Sequence, residues 1–389
     1  MYRIGKEEVA AVERVIEKRS LFRINTETRE VLQFEQELAK HFKVGYSLYV
    51  SSGTAALISI LGALGIGPGD EVIVPTYTFI ASPNAVLNVG AIPVLAEVDA
   101  TLTIDPEDIV KKITDRTKAI MPVHIMGFPC NMEAIMKIAK EHNLYVIEDA
   151  CQSVGGKFNG EYLGTIGTAG AMSFNYFKVI SAGEGGAVLV NDLDTFEKSL
   201  IYHDVGTPYW SYERDLTYPH FVGSQFRACE IMAAVMRVQL TRLEGIVTDL
   251  RRIKKTLRDK VAGHKNITIT PSNDFDGDVG TTLPITFESE AAARKFAENF
   301  GDTTIPYDVN RHVYIYWRPI IEKRVTNNPY SNPYNHERNQ NRKFEITKDC
   351  CPKSLVHLAQ TAYIPYGIDY TEAQLDEVAK RCIEAAGKI

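Results

Sequence analysis

The chain of 389 residues is 45% hydrophobic and 24% charged with a net charge of −6, which fits an ordinary soluble globular protein of two or three domains. The acidic balance gives no attraction to nucleic acid or an anionic membrane, and no run of about twenty apolar residues is present to span a bilayer. The N-terminus, MYRIGKEEVAAVERVIEKRS, lacks the apolar core of a signal peptide, so a cytoplasmic location is expected. Six scattered cysteines form no CxxC pair and nine histidines form no HExxH motif, so free thiols and no metal centre are expected.

In chain order, residues 6–18 and 30–42 read as amphipathic helices. SLYVSSG then leads into the helix TAALISILGALG, and EVIVPTYTF into the helical ASPNAVLNVG. AIPVLAEV, KAIMPVHIM, LYVIEDA and GAVLVN continue as short β-branched runs with helical stretches such as MEAIMKIAKEHN between them. Unalternating apolar runs separated by helices predict a parallel sheet covered on both faces, with right-handed crossovers. Residues 228–261 predict one long helix joining a large α/β domain, residues 1–249, to a smaller α+β domain, residues 250–389. Strands are expected there at 267–271 and 283–287, with helices over EAAARKFAENFG and TEAQLDEVAKRCIEAAG. The polar, Asn-rich stretch 323–345 reads as a long surface loop.

Open α/β sheets bind ligands at the carboxyl ends of their strands. The first such turn, VSSGTAAL, has neither GxGxxG nor GxxxxGK[ST]; it places Ser51, Ser52, Gly53 and Thr54 at a helix N-terminus, where free N–H groups suit a phosphate or simply a helix cap. Phe79 follows the next strand, as core or as a stacking platform for a flat ligand. LYVIEDACQSVGG runs a buried strand into Glu148 and Asp149, with Gln152 three residues on. Buried carboxylates need a partner: a divalent cation, a structural Arg or a protonated ring nitrogen. Lys178, 29 residues after Asp149, lies in SFNYFKVISAGEGGAV with Ser173 and three glycines. It is either a surface lysine whose stem covers aromatic rings or an amine held for covalent chemistry. A phosphate cradle, a stacking ring, a strand-end Asp and an aromatic-embedded Lys, in that order, fit pyridoxal 5′-phosphate (PLP). The lysine would form the Schiff base, and the carboxylate would keep the pyridine nitrogen protonated.

Across nearly the whole chain the sequence resembles the DegT/DnrJ/StrS sugar aminotransferases, which share the fold type I architecture of aspartate aminotransferase. The markers are SSGTAAL, GPGDEVIVPTYTFIAS, VIEDACQSVGG, LGTIG, SFNYFKVISAGEGGAV and AAVMRVQLTRLE in joint order. The resemblance implies an α/β fold type I transferase: a large domain with a mostly parallel seven-stranded sheet between helices, and a smaller C-terminal α+β domain. It implies Lys178 as the Schiff-base lysine, Asp149 at the pyridine nitrogen, Gln152 at the ring hydroxyl and Phe79 stacked on the ring. Gly53, Thr54, Ala55 and Ser173 would cradle the phosphate. It further implies a homodimer in which each subunit lends its partner an amide from a GxNxR stretch. Here that stretch reads GSQFR, with Gln225, one methylene longer, in place of Asn.

The implied reaction is ping-pong transfer of an amino group from glutamate to a keto or aldehyde sugar, with Lys178 as base and acid. LFRINTE at 21–27 and RHVYIYWRP at 311–319 are similar to the subgroup acting on an eight-carbon octulosonate acid, which implies Arg23 or His312 as a contact to a substrate carboxylate or hydroxyls, the alternative being that these aromatics pack the dimer interface; a nucleotide-linked keto-sugar is the family default. Two rivals stand beside this reading, a PLP-dependent sugar dehydratase and a non-catalytic cofactor-binding regulator. Lys178 argues against the first, because dehydrating relatives carry His there; intact Lys178, Asp149 and Gln152 argue against the second.

Overall fold

The computed structural model describes residues 3–23, 27–206 and 216–389. Helices α1 (Lys6–Glu17) and α2 (Glu30–Phe42) precede the first strand. The chain then runs β1 (Tyr46–Val50), α3 (Gly53–Ala63), β2 (Glu71–Pro75), α4 (Ala81–Asn88), β3 (Ile92–Ala96), α5 (Pro106–Lys112), β4 (Thr117–Ile120), α6 (Met132–His142) and β5 (Tyr145–Asp149). A small hairpin, β6 (Lys157–Phe158) and β7 (Glu161–Tyr162), leads to β8 (Ala169–Ser173), β9 (Gly186–Val190), α7 (Leu193–His203) and the 32-residue α8 (Glu230–Val261). The remainder is β10 (Thr268–Ile269), β11 (Leu283–Thr286), α9 (Glu290–Phe300), α10 (Arg318–Ile321), α11 (Pro352–Ala359), β12 (Thr361–Ile364) and α12 (Glu372–Ala386).

Seven strands form one sheet in the order β1-β9-β8-β5-β4-β2-β3. Six point the same way, and β9 runs antiparallel to both β1 and β8. The sheet is mostly parallel, as the resemblance implies, and departs from the all-parallel reading of the apolar runs at one strand. GAVLVN returns from the Lys178 loop through a direct connection, and a short connection can join only antiparallel neighbours. AGAMS, which became β8, had no strand signature of its own, because Ala and Gly carry little β preference and gain their place from the flanking strands.

The two faces of the sheet bury different cores. Leu48, Val50, Val188 and Val190 face α3, α4 and α7, whereas Tyr49, Ala187 and Leu189 face α2 and α8, the period-2 alternation of pleated strands. On α8 the buried Met236, Leu240, Leu243, Val247, Leu250, Ile253 and Leu257 recur at three- and four-residue steps, one stripe of a helix about 48 Å long. Residues up to Leu250 belong to the core on the large sheet, while Ile253, Leu257 and Val261 pack against β11, β12, α9 and α12. One C-terminal stretch crosses back: Tyr314, Trp317, Tyr334 and Leu358 are buried in the same core as α3 and α4.

That return explains the Asn-rich stretch 323–345, which is more ordered than a polar loop. Asn328 and Asn332 cap short 3₁₀ turns through the N–H groups of Tyr330 and Tyr334. Asn339 is buried, donates to the carbonyls of Gly90 and Pro333, and accepts from Gly69 N–H.

Candidate active site

The carboxyl ends of β1, β2, β5 and β8 converge on one edge, and each delivers a side chain or a cradle. After β1, Ser52 Oγ caps α3 by accepting the Ala55 N–H over 3.1 Å. The N–H groups of Gly53 and Thr54 take no backbone partner among the described residues, and they sit on the positive end of the α3 dipole. Glycine is demanded at 53 by crowding: a Cβ there would lie 2.5 Å from Cys151 Sγ and 2.9 Å from Ser173 Cβ. Gly186 allows a similar approach, since a Cβ would meet the Ser52 carbonyl carbon at 2.3 Å. The three cradle residues expected after β1 therefore divide. Gly53 and Thr54 keep free donors, and the Ala55 N–H is already spent on Ser52.

Beyond β2, Phe79 keeps 39% of its surface exposed at the mouth of the site, 5.5 Å from the His312 ring. Backbone pairing explains that contact, for Thr78 N–H bonds His312 C=O (2.9 Å) and Ile80 N–H bonds Arg311 C=O (3.0 Å). A segment 230 residues away in sequence is thereby stapled to the strand end. Ser82, in the first turn of α4, donates its hydroxyl to Asp149 Oδ2 over 2.7 Å.

The two carboxylates of β5 part ways because successive strand residues face opposite sides. Glu148 is fully buried and accepts the N–H groups of Gly164 (2.8 Å), Ile166 (2.6 Å) and Gly167 (2.6 Å), fixing the LGTIG turn. Cys130 N–H donates to His124 Nδ1 (3.1 Å), so that ring is the neutral Nε2–H tautomer, donating to Glu148 Oε2 (3.1 Å). Asp149 faces the site at 5% exposure, held by Ser82 and by Cys151 N–H on Oδ1 (3.1 Å). Burial, with the Asp149 charge alongside, pushes the Cys151 thiol well up, so it stays protonated.

After β8, the chain loops through Ser173 to Lys178. Ser181 organises the loop by donating to Phe174 C=O (3.1 Å) and accepting Gly183 N–H (2.9 Å). Phe174 is buried while Tyr176 and Phe177 are exposed, so the aromatic surroundings of Lys178 do not enclose it on all sides. Lys178 is half-buried, and its Nζ has neither a hydrogen bond nor an ion pair among the described residues. Its charge bears on both Cys151 and His312 at the strand ends.

Gln152 Oε1 accepts Met126 N–H (3.1 Å), and its Nε2 lies 3.3 Å from His312 Nε2. Burial, then the nearby charges of Lys178 and Arg311, lowers the His312 pKa to about 4, so the ring is neutral at ordinary pH.

One of the residues expected at the site is placed elsewhere. Arg23 is buried in an ion pair with Glu35 (2.9 Å) and donates to Tyr49 C=O (3.1 Å), which ties it to the α2–β1 core; residues 24–26 of its motif lie outside the described residues. Gln225 is exposed, on a strand-like segment whose neighbour Phe226 accepts Ser51 N–H (2.8 Å). Ser82 and the Met126 N–H were not singled out in the sequence. A Ser in a first helical turn looks like any cap residue, and a backbone donor leaves no trace in residue type.

These residues suit PLP: α3 offers unspent N–H groups in a cradle that a Cβ would fill, Asp149 waits at the strand end, Phe79 presents an open ring, and Lys178 has an uncommitted amine. Fold and site together define an aminotransferase. The DegT/DnrJ/EryC1/StrS aminotransferase family model matches residues 2–381, and the chain belongs to that family. It is 40% identical over 248 residues to GDP-perosamine synthase of Escherichia coli O157:H7, covering 62% of this chain and 67% of the relative. It is 34% identical over 322 residues to the Vibrio cholerae GDP-perosamine synthase, covering 80% and 85%. The crystal structure of S. venezuelae DesV in complex with a ketimine intermediate superposes with a TM-score of 0.80 at 28% identity, covering 99% of this chain and 95% of that one. The fold is that of the PLP-dependent fold type I aminotransferases.

Proposed function

We propose that the protein moves the amino group of glutamate onto the carbonyl carbon of a keto or aldehyde sugar in the cytoplasm, using PLP and Lys178. The observation that carries this is the uncommitted Lys178 amine on the same sheet edge as Asp149 and the open α3 N-terminus. Bound there, PLP would supply an aldehyde that takes up the amine and a ring that delocalises the electron pair freed at the substrate carbon. The protein's own residues do the rest. Gly53 and Thr54 N–H and Ser173 would hold the phosphate, Phe79 would cover the ring face, and Asp149, oriented by Ser82, would hold a proton at the ring nitrogen. Lys178 would take the proton from the glutamate α-carbon in the first half-reaction and give a proton to the aminated sugar carbon in the second. As the C–N bond of glutamate breaks, a water supplies the carbonyl oxygen of 2-oxoglutarate, and the sugar's carbonyl oxygen leaves as water when its C–N bond forms. No external oxidant or reductant is needed.

The acceptor is a nucleotide-linked keto-deoxysugar or an octulosonate-type sugar acid. Beside the site an open cleft of about 610 Å³ runs along Ile80, Arg311, Tyr316, Arg318 and Lys348. Arg318 pairs with Glu322, whereas Arg311 and Lys348 have no ion-pair partner among the described residues, so the cleft suits the anionic part of either acceptor. The relatives named for a GDP-linked product favour the nucleotide form. Gln225, exposed in one protomer, supports a homodimer in which it reaches its partner's phosphate.

The test is the half-reaction. Protein loaded with PLP and given glutamate alone should release one 2-oxoglutarate per active site and then stop. No release would point to another donor or to a non-catalytic role.

A further inference from the structure

The orientation of Gln152 is set from outside the site. A carboxamide has a donor end and an acceptor end, and here Met126 N–H claims the acceptor. The amide nitrogen must therefore face His312, and His312 Nε2 must accept from it, which puts the ring proton on Nδ1. That Nδ1 is buried and has no partner among the described residues.

Met126 directs its N–H this way because its backbone is left-handed (φ 52°, ψ 20°), a conformation a non-glycine residue holds only when its surroundings impose it. The grip comes from the segment entering β11. Thr281 Oγ1–H donates to the Met126 carbonyl, and Val279 N–H donates to the Gly127 carbonyl (3.2 Å). Gly127 is left-handed too, and a Cβ on it would lie 2.7 Å from Val279 Cβ. The gripping segment is itself anchored, because Asp278 pairs with Lys254 of α8 (2.5 Å) and accepts Gly280 N–H (2.7 Å).

We propose that Thr281 is a positioning residue: by holding the Met126 carbonyl it keeps the left-handed Met126 backbone that aims its N–H at Gln152 Oε1, which turns the Gln152 amide nitrogen into the site and fixes His312 as the Nδ1–H tautomer. Gln152 then offers its second amide hydrogen to an oxygen on a bound ring. That role rests on the proposed function. The tautomer does not, so it can be read whether or not the sugar chemistry is right.

The test is ¹⁵N NMR of the imidazole nitrogens in the full-length protein, with His312 assigned by its loss in His312→Asn. Wild type should show a protonated Nδ1 and an unprotonated Nε2. Thr281→Val, which keeps the shape and removes the hydroxyl, should give a mixture of tautomers and lower kcat roughly ten- to a hundredfold; Thr281→Ser should restore both. A wild-type tautomer and kcat in Thr281→Val, or a Thr281→Ser variant as impaired as the valine, would overturn the proposal. Should Thr281→Val fail to fold, Gln152→Glu decides independently. A carboxylate still accepts Met126 N–H but cannot donate to His312, so the proton should appear on Nε2; an unchanged Nδ1–H signal would contradict the relay.

Discussion

The Ser82 hydroxyl donates to Asp149 Oδ2 across 2.7 Å, while the backbone of Cys151 holds Oδ1, so the carboxylate is fixed at both oxygens before any ligand arrives. A hydrogen bond to a charged group contributes about 1.5–3 kcal/mol. Ser82→Ala should therefore lower kcat roughly ten- to a hundredfold with little change in PLP affinity. Asp149→Ala, which removes the charge itself, should lose roughly 10²–10⁴ in rate. Steady-state kinetics beside a PLP titration would check both, and a fully active Asp149→Ala would refute the role given to that carboxylate.

Gly53 is where backbone, thiol and serine crowd together. Gly53→Ala should cost about 1–3 kcal/mol of stability from overpacking and weaken PLP binding, because the new methyl pushes on Cys151 and through it on Asp149. Adding Cys151→Ala should recover part of the loss, since it removes the 2.5 Å contact and leaves the one to Ser173. Thermal melts and PLP titrations of the single and double variants would show whether the two sites are coupled.

His312 ties pH to stability. Its pKa falls from about 6.5 to about 4 on folding, so the unfolded chain binds a proton between those values that the folded chain refuses. The stability linked to neutral His312 is complete above pH 6.5 and is lost as pH falls toward 4. Denaturation midpoints of wild type should drop more steeply from pH 7 to 4.5 than those of His312→Asn; parallel curves would contradict this burial.

Glu148 is a structural carboxylate despite its place beside Asp149. Glu148→Ala would strand the N–H groups of Gly164, Ile166 and Gly167 and the His124 proton, and should cost about 3–5 kcal/mol. The loss should appear in the melting temperature, and any folded fraction should keep its PLP affinity. A stable variant that has lost PLP would move Glu148 into the site.

Much of this was legible in the residues. Hydrophobic runs and their caps marked α3, α6, α8, β2, β3 and β5 because those elements are buried on continuous faces. Lys178, Asp149, Gln152, Phe79 and Gly53 each sit at a strand end, where local sequence and location coincide. What escaped depends on distant chain. The AGAMS strand has no preference until β5 and β9 flank it, Ser82 is informative only once Asp149 is opposite, and Thr281 acts through a peptide group. Arg23 shows the reverse: a charged residue in a suggestive motif whose partner, Glu35, is fixed by the packing of α2 on β1.

The central claim is that Lys178 is the cofactor-binding amine. It is tested most directly by incubating the protein with PLP, reducing with borohydride and mapping the digest by mass spectrometry. The account predicts a phosphopyridoxyl group on Lys178 and on no other lysine. An unmodified Lys178, or a label on another lysine with Lys178 free, would contradict it.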